Sequence, residues 1–356
     1  MTGTDTQSGA GMTVGPRTSP SSITVVIVAV NGTRSIARTV RNLSDQTIRR
    51  SIEVVVVAAT RDAIDSVALG ADAFAAFRVV AVGPITKRGA AAAAGVMAAT
   101  SAVVALIEDH SFPEPGWAAA LVAAHDGPWS GVGPVVENAN VLSTMSWVNF
   151  ILSYGVFSGE QEPGEREILP WHNSAYKRRA LDPFADRLGD LLEWEGQLQD
   201  ALRASGSALY LEPRARTRHM NVSRFDSTLG LNLQRGRLLG AQRAEREGWP
   251  SWRRLAQAAA FPIFPFLQLR HAASRIREMP IPRELAAKVH AGLFATLCVM
   301  AAAEAWGLVL GAGDAVARME DYELHRDRHL TGADLAEAAL VERARQAPDA
   351  ASPMHP

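Results

Sequence analysis

VVALIEDHSFPEPGW, residues 103–117, sets an uncharged run of β-formers, Val103 to Ile107, against two carboxylates and an imidazole, Glu108, Asp109 and His110, and then a proline-rich turn. That is the pattern of a buried strand delivering polar groups at its C-terminal edge, where open parallel sheets bind their ligands. Side chains alternate along an extended strand, so Glu108 and His110 share a face, and Asp109 points away unless the strand has already ended. A solvated acidic turn behind a core strand gives the same string, so the flanking sequence decides between the two.

Upstream, Ile23 to Val30 (ITVVIVAV) is a β-branched run broken by Asn31-Gly32. Ser35 to Leu43 places Ile36, Val40 and Leu43 at helical spacing. A second buried strand follows at Ile52 to Val57, then a helix over Ala63 to Phe77 and a short strand from Arg78 to Val82. This alternation predicts a βαβαβ unit with a parallel sheet. Lys87-Arg88-Gly89 opens an Ala-rich helix, Ala90 to Ala99, that leads into the 103–107 strand. A basic turn at a helix N-terminus suits a phosphate, although a solvated turn reads the same way.

Downstream, the pattern predicts a helix over Ala118 to His125 and a strand in Gly131 to Val136. Trp147, Phe150, Tyr154 and Phe157 give an apolar helical face of the kind that usually packs a core. Trp171, His172, Asn173 and Ser174 precede a helix start. Leu191 to Glu195 begins a helix carrying Leu198 and Leu202, then comes a strand at Ala208 to Leu211, with His219 shortly after it.

The chain has 356 residues, 47% hydrophobic and 21% charged, enough to bury one large core with an appendage. A net charge of −1 argues against a nucleic-acid partner held by bulk phosphate neutralisation. The single cysteine, Cys298, excludes disulfides and cysteine-ligated zinc as scaffolding. Residues 1–22 are Gly-, Ser- and Thr-rich and read as a disordered tail; the run that follows lacks the basic flank of a signal peptide.

After Arg243 the composition changes. Trp249, Trp252, Arg253 and Arg254 lead into the apolar, Pro-interrupted Leu255 to Leu269, with Arg270, Arg275 and Arg277 behind it. Aromatic and basic residues flanking an apolar stretch suggest an interfacial helix on an anionic membrane. Ala291 to Gly313 has Glu304 as its only ionisable side chain. Its Leu, Phe and Val residues contribute about −0.3 to −0.6 kcal/mol each on insertion, against about +2.5 to +3.5 for a central acid, so spanning, in-plane and protein-packed arrangements all stay open. Residues 331–356 read as a polar tail.

The order of these pieces resembles glycosyltransferase family 2, over about Ile23 to Arg243. Val30-Asn31 and Leu43-Ser-Asp-Gln-Thr47 stand where family members have a strand-end Asn and a helix ending near "SLLAQT". Glu108-Asp109-His110 occupies the place of the Asp-rich metal motif, and Pro113, Pro115, Gly116 and Trp117 match the "P-x-P-G-W" exit. The acid of the family's "ED-x-x-L" helix falls on Glu195, with Leu198 three on, and a later His falls on His219. Three positions depart from the pattern. Ala58-Ala59-Thr60 replaces an aspartate pair that reads nucleobase and ribose, Ala93 replaces an Asn, and His110 replaces the last Asp of the metal motif.

The resemblance implies a GT-A type α/β domain over 23–245, a mixed, mostly parallel sheet flanked by helices; the change of composition behind it marks 246–330 as an apolar helical, membrane-associated region. It implies transfer of a sugar, with inversion, from a nucleotide-sugar donor to a hydroxyl of a glycan or lipid-linked acceptor at the cytoplasmic face of the membrane. Glu108, Asp109 and His110 would hold Mn²⁺ or Mg²⁺; one imidazole tilts the choice to Mn²⁺. Asn31, Lys87, Arg88, Glu108, Asp109 and His219 would bind the donor, and Trp171, His172 and Trp194 the acceptor. Glu195 would be the general base, with Glu193 as its alternative. A decayed transferase that binds sugar nucleotides without transferring is the rival, favoured by Ala58-Ala59. A nucleotidyltransferase ranks last, because Asn31-Gly-Thr-Arg34 is no Gly-rich phosphate loop.

Overall fold

The computed structural model describes residues 21–346. Residues 1–20 of the expected N-terminal tail and 347–356 of the polar tail lie outside them. Among the described residues one nine-stranded sheet runs through the protein. β1 (Ile23–Ala29), β2 (Ile52–Ala58), β3 (Ala76–Ala81) and β4 (Val103–Ile107) are parallel, ordered β3-β2-β1-β4. β5 (Ser111–Pro113), β6 (Gly131–Asn138), β7 (Gly164–Arg166), β8 (Ala175–Lys177) and β9 (Leu209–His219) complete it in the order β8-β6-β9-β5, with β7 on β9. Only the β6–β9 pair is parallel in this half; β8 runs against both β4 and β6. The mixed, mostly parallel sheet flanked by helices is the one the sequence led us to expect.

Alternation in the strands decides what packs where. Val25 and Ile27 of β1, with Val54 and Val56 of β2, bury against α1 (Thr33–Ser44) and α3 (Trp117–Ala124) on one face. Val26, Val55 and Val57 bury on the other face against α2 (Arg88–Ala98), α6 (Leu188–Glu193) and α7 (Glu195–Ala204). Continuous β-branched runs are therefore required, since both faces are covered. α4 (Thr144–Tyr154) and the short α5 (Arg178–Leu181) lie between these elements in the chain.

Three expectations are corrected. The helix expected over 63–77 is instead two 3-10 turns, Arg61–Ala63 and Ala71–Ala73. Its buried apolar residues, Ile64, Leu69 and Phe74, recur every five residues, out of phase with a helical face, and Gly70 takes a left-handed conformation. The strand expected to stop at Leu211 runs on through Pro213, with an irregularity in its pairing to β6, and His219 is its last residue. The helix expected through Glu195 is broken at Trp194 (ψ 85°), so Glu193 ends α6 and Glu195 starts α7.

Beyond β9, α8 (Phe225–Arg246), α9 (Ser251–Ala259), α10 (Phe264–Glu278), α11 (Arg283–Leu310), α12 (Ala315–Leu324) and α13 (Gly332–Gln346) follow. α11 contains the stretch 291–310, and it is long and apolar enough to cross a membrane, with a mean hydropathy of 1.9. Half of that window is nevertheless buried inside the protein. α11 runs along α8, and glycines make the contact: a Cβ on Gly240 would lie 2.1 Å from the Glu304 carbonyl oxygen, and one on Gly307 1.9 Å from that of Arg237. Glu304 is buried and ion-paired with Arg243 of α8. The small residues of α11 and its buried acid, Glu304, thus serve a helix–helix seam.

Gly240→Val forces this seam apart, and we expect it to cost about 1–3 kcal/mol, as overpacking does. A lowered thermal midpoint in the full chain checks this; an unchanged midpoint would show that the seam is not close-packed.

Candidate functional site

β4 ends at Ile107, so Glu108, Asp109 and His110 lie on the turn between β4 and β5, at the C-terminal edge of the parallel strands. β5 pairs with the end of β9 in a register that sets Ser111 opposite His219. Two distant segments therefore deliver their histidines to one place. Ligand atoms of Glu108, His110 and His219 lie within 4.8 Å of one another, and all three residues are buried. His219 Nε2 is 3.0 Å and His110 Nε2 3.8 Å from Glu108 Oε2.

Each imidazole is aimed by a neighbour. His110 Nδ1 is 2.7 Å from Asp109 Oδ1, and His219 Nδ1 is 2.9 Å from Asn221 Oδ1. With Nδ1 donating to those oxygens, both Nε2 lone pairs face Glu108, the arrangement by which metal-binding histidines are fixed. His110 Nε2 is buried without a hydrogen-bond partner. A carboxylate and two convergent imidazoles fit a divalent cation, which places His219 among the ligand donors and Asp109 behind one of them.

Glu108 collects further partners: Arg88 Nη1 donates to Oε1 at 2.7 Å, and Asn173 Nδ2 (2.9 Å) and Tyr154 Oη (3.1 Å) donate to Oε2. Burial would raise its pKa, but protonated His110 and His219, whose positive charge a bound cation would replace, and Arg88 hold the carboxylate well below the ordinary range. Burial pushes the Tyr154 hydroxyl up, so it remains a donor.

Glu108 and His219 of this cluster line a chamber of 410 Å³. Its polar lining includes Arg88, His172 and Asn221, and its apolar lining Leu152, Val156, Ile168, Leu231, Leu238 and Leu239. Trp171, 40% exposed, and Trp194 also line it, edge to face with ring centres 6.4 Å apart. Of the residues expected at an acceptor site, all three are brought together here.

The two acids of α6 and α7 have different surroundings. Glu193 lines the chamber and accepts from the Gly89 N–H at 2.9 Å. α6 comes this close because Gly89 has no Cβ, which would meet Glu193 N at 2.3 Å. Glu195 is fully buried and lines neither this chamber nor the crevice at the sheet edge. Its oxygens accept from the Tyr176 hydroxyl and the His172 N–H, and His172 Nδ1 is 3.3 Å away. Burial raises Glu195 to about 7, against the lowering effect of these hydrogen bonds. His172 has a positive φ of 57°, strained for a residue with a side chain, and its ring lines both cavities. Burial and Arg88 lower it to about 3, so the imidazole is neutral.

The remaining expected donor residues spread along the rim. Arg88 is in the cluster, Asn31 bonds the Leu324 carbonyl oxygen at 3.1 Å, and Lys87 is exposed just before α2. Sequence reading missed Tyr154, taken for a core aromatic, and Glu320, Glu323 and Arg326, which line the chamber from α12 and the turn behind it. Nothing local marks those three; they lie more than 200 residues from β4 on a helix of ordinary polar composition.

No protein-family model matches the sequence, and no curated protein matches it. Solved structures with a similar fold include GalNAc-T7 with UDP, GalNAc and Mn²⁺, at 16% identity and a TM-score of 0.41 over 56% of this chain and 43% of that one. The mannosyltransferase PcManGT from Pyrobaculum calidifontis, with GDP-Man and Mn²⁺, aligns at 15% identity and 0.45 over 94% and 84%. TarS 1-349 from S. aureus aligns at 12% and 0.42 over 77% and 71%. This chain thus spans less than half the length of the first.

Asn221→Ala leaves the three ligand donors in place but frees the His219 ring. We expect Mn²⁺ affinity, measured by calorimetry, to fall about 10- to 100-fold. Unaltered affinity would remove His219 from the cation site.

Proposed function

We propose that the protein is a metal-assisted GT-A type glycosyltransferase, moving a sugar from a nucleotide donor to an acceptor hydroxyl with inversion. The observation that carries this reading is the convergence of Glu108, His110 and His219 beside Arg88, where Glu108 and His219 line the chamber and Glu108 and His110 the adjoining crevice. Leaving-group departure from a sugar nucleotide develops negative charge on a diphosphate, and groups of opposite charge must already stand there. Glu108, His110 and His219 would hold a divalent cation, which supplies Lewis-acid neutralisation of that charge when bound. Two imidazoles suit Mn²⁺ better than Mg²⁺, which prefers oxygen donors. Arg88 adds a guanidinium beside it, and Asn31 and Lys87 stand on the donor side. Ala58-Ala59-Thr60 at the end of β2 leaves the nucleobase to be held by contacts other than an aspartate pair.

The acceptor enters the chamber, where Trp171 and Trp194 offer faces to a sugar ring and the apolar wall suits a lipid-linked aglycone. For the proton, Glu195 keeps the role of resting place, with a pKa matched to neutral pH. It reaches the chamber through His172: the acceptor hydroxyl gives its proton to the imidazole, whose Nδ1–H passes to Glu195 Oε2. Glu193 faces the chamber directly and is the competing base.

Attachment to the cytoplasmic face of a membrane is supported by the exposed apolar residues of α9 and α10, Trp252, Leu255, Phe266 and Leu267, among Arg253, Arg254 and Arg270. Trp252→Ser with Phe266→Ser should release most of the full-length protein from sedimenting vesicles of anionic lipid. Equal binding by the variant would exclude this surface.

Glu195→Gln and His172→Ala should each lower transfer by about 10²-fold or more while Glu193→Gln stays mild. The reverse order makes Glu193 the base. The wild-type rate should also rise with pH through about 7, as Glu195 loses its proton, and Glu195→Gln should abolish that limb. Stability carries the opposite sign. A carboxyl raised in the folded state favours folding below its ordinary pKa of 4.5 and loses that contribution as pH rises to about 7. Donor binding without transfer from any nucleotide sugar would instead support the non-catalytic binder.

A further inference from the structure

The crevice where β1 and β4 end is narrow. Val28, Val30, Ile107, Glu108 and Asp109 line it together with Glu323 and Leu324, and its volume is about 30 Å³. That admits no more than a few waters, far below what a diphosphate needs. The wall that closes it comes from the far end of the chain.

The closing segment is a strap fixed at both ends. Before α12, Gly311 and Gly313 take positive φ angles of 78° and 54°, conformations that few other residues adopt without strain. α12 then lies on α8 through Ala315 and Met319, next to Leu231 and Leu238. Behind it, His329 Nδ1 is 3.0 Å from Ser227 Oγ, and its carbonyl oxygen accepts from the Ser223 and Arg224 N–H groups. Between these anchors, Glu323 and Leu324 reach the crevice, and Glu320 and Arg326 line the adjoining chamber. Asn31 holds the Leu324 carbonyl oxygen there, at 3.1 Å.

Charge sits under the strap in a particular way. Glu323 Oε2 is 3.6 Å from Arg88 Nη1 and ion-paired with Arg326. The carboxylate therefore binds two guanidinium groups: Arg88, which lines the crevice and also bonds Glu108, and Arg326, which lines the adjoining chamber. Two guanidinium groups are what an incoming diphosphate would use, and an anion of this chain already occupies them.

We propose that α12 and the turn behind it gate the donor crevice, with the Glu323 carboxylate holding on Arg88 and Arg326 the place of the donor's diphosphate. The inference rests on the donor reading given above. The gate opens when residues 320–326 lift from Asn31 and Arg88, the glycines before α12 and the anchor at His329 allowing the movement. A nucleoside diphosphate then competes with Glu323 for the same cations, and resting occupancy of the closed state lowers its apparent affinity.

The test uses the full chain with UDP, GDP, dTDP, CDP and ADP, each with Mn²⁺. Glu323→Gln, which removes the competing charge, and Leu324→Ala, which keeps the Asn31 bond but removes a buried apolar side chain of the strap, should each tighten the nucleotide that binds by roughly 5- to 30-fold, the factor set by removing one such interaction. Hydrogen exchange on the wild type gives a second readout that needs no variant: amides of 315–329 should exchange faster when nucleotide is bound. A nucleotide that binds wild type and variants equally, or one that slows exchange over 315–329, overturns the gate and leaves the donor reading standing. The slowed case would make the segment a lid that closes on the donor. If none of the five binds to wild type or to either variant, the donor reading itself falls, and the gate with it.

Discussion

Glu108 is a buried carboxylate, and keeping it ionised constrains much of the surrounding structure. An unpaired charge in such a place costs several kcal/mol, so each of its lone pairs needs a donor or a cation. The partners come from far apart: Arg88 from the first turn of α2, Tyr154 from the end of α4, Asn173 from the loop before β8, and His219 from the end of β9. Parallel strands that end together at one edge, and an irregular β9 that carries past Pro213, bring those segments to one point. The fold therefore reads as scaffolding for a concentration of charge that no single element could stabilise.

How much of this the sequence disclosed depends on the range over which each signal acts. β1, β2 and β4 were legible because strands buried on both faces must be continuous β-branched runs, and Val54 to Val57 admits little else. The polar string at 108–110 was legible because it interrupts such a run. The helix expected over 63–77 was an overreading of composition: Ala and Asp permit a helix, but Ile64, Leu69 and Phe74 do not share a helical face. His219 was expected beyond a strand that stops at Leu211, and its pairing with β6 and β5 shows that it is the strand's last residue. The contributions of Glu320, Glu323 and Arg326 are purely tertiary, set by how α12 rests on α8.

α11 illustrates the same limit from the opposite side. A stretch rich in Ala and Gly with one acid is equally compatible with lipid and with a close helix neighbour, since both reward small side chains and penalise an unpaired carboxylate. What separates the two is the partner. Gly236 and Gly240 on α8 meet the backbone of α11, and Arg243 one turn on neutralises Glu304. Burial raises the pKa of that carboxyl, and Arg243 opposes the rise. α8 was itself unread in the sequence, so the decisive evidence for α11 lay in a helix that had not been seen.

Glu193 and Glu195 show how fine the resolution of a motif has to be before it assigns chemistry. In one continuous helix, residues two apart diverge by about 200°, so one acid facing a cavity would leave the other facing away. The break at Trp194 alters that geometry, since Glu193 and Glu195 belong to separate helices. One acid then meets the chamber beside Glu320, whose carboxyl is pushed up to about 8 by burial and by Glu193, so the two can share a proton. The other is enclosed with Tyr176 and His172 and raised to about 7. Two carboxylates two residues apart thus acquire different surroundings and different access to the chamber, and it is the backbone at Trp194, not the identity of either acid, that separates them.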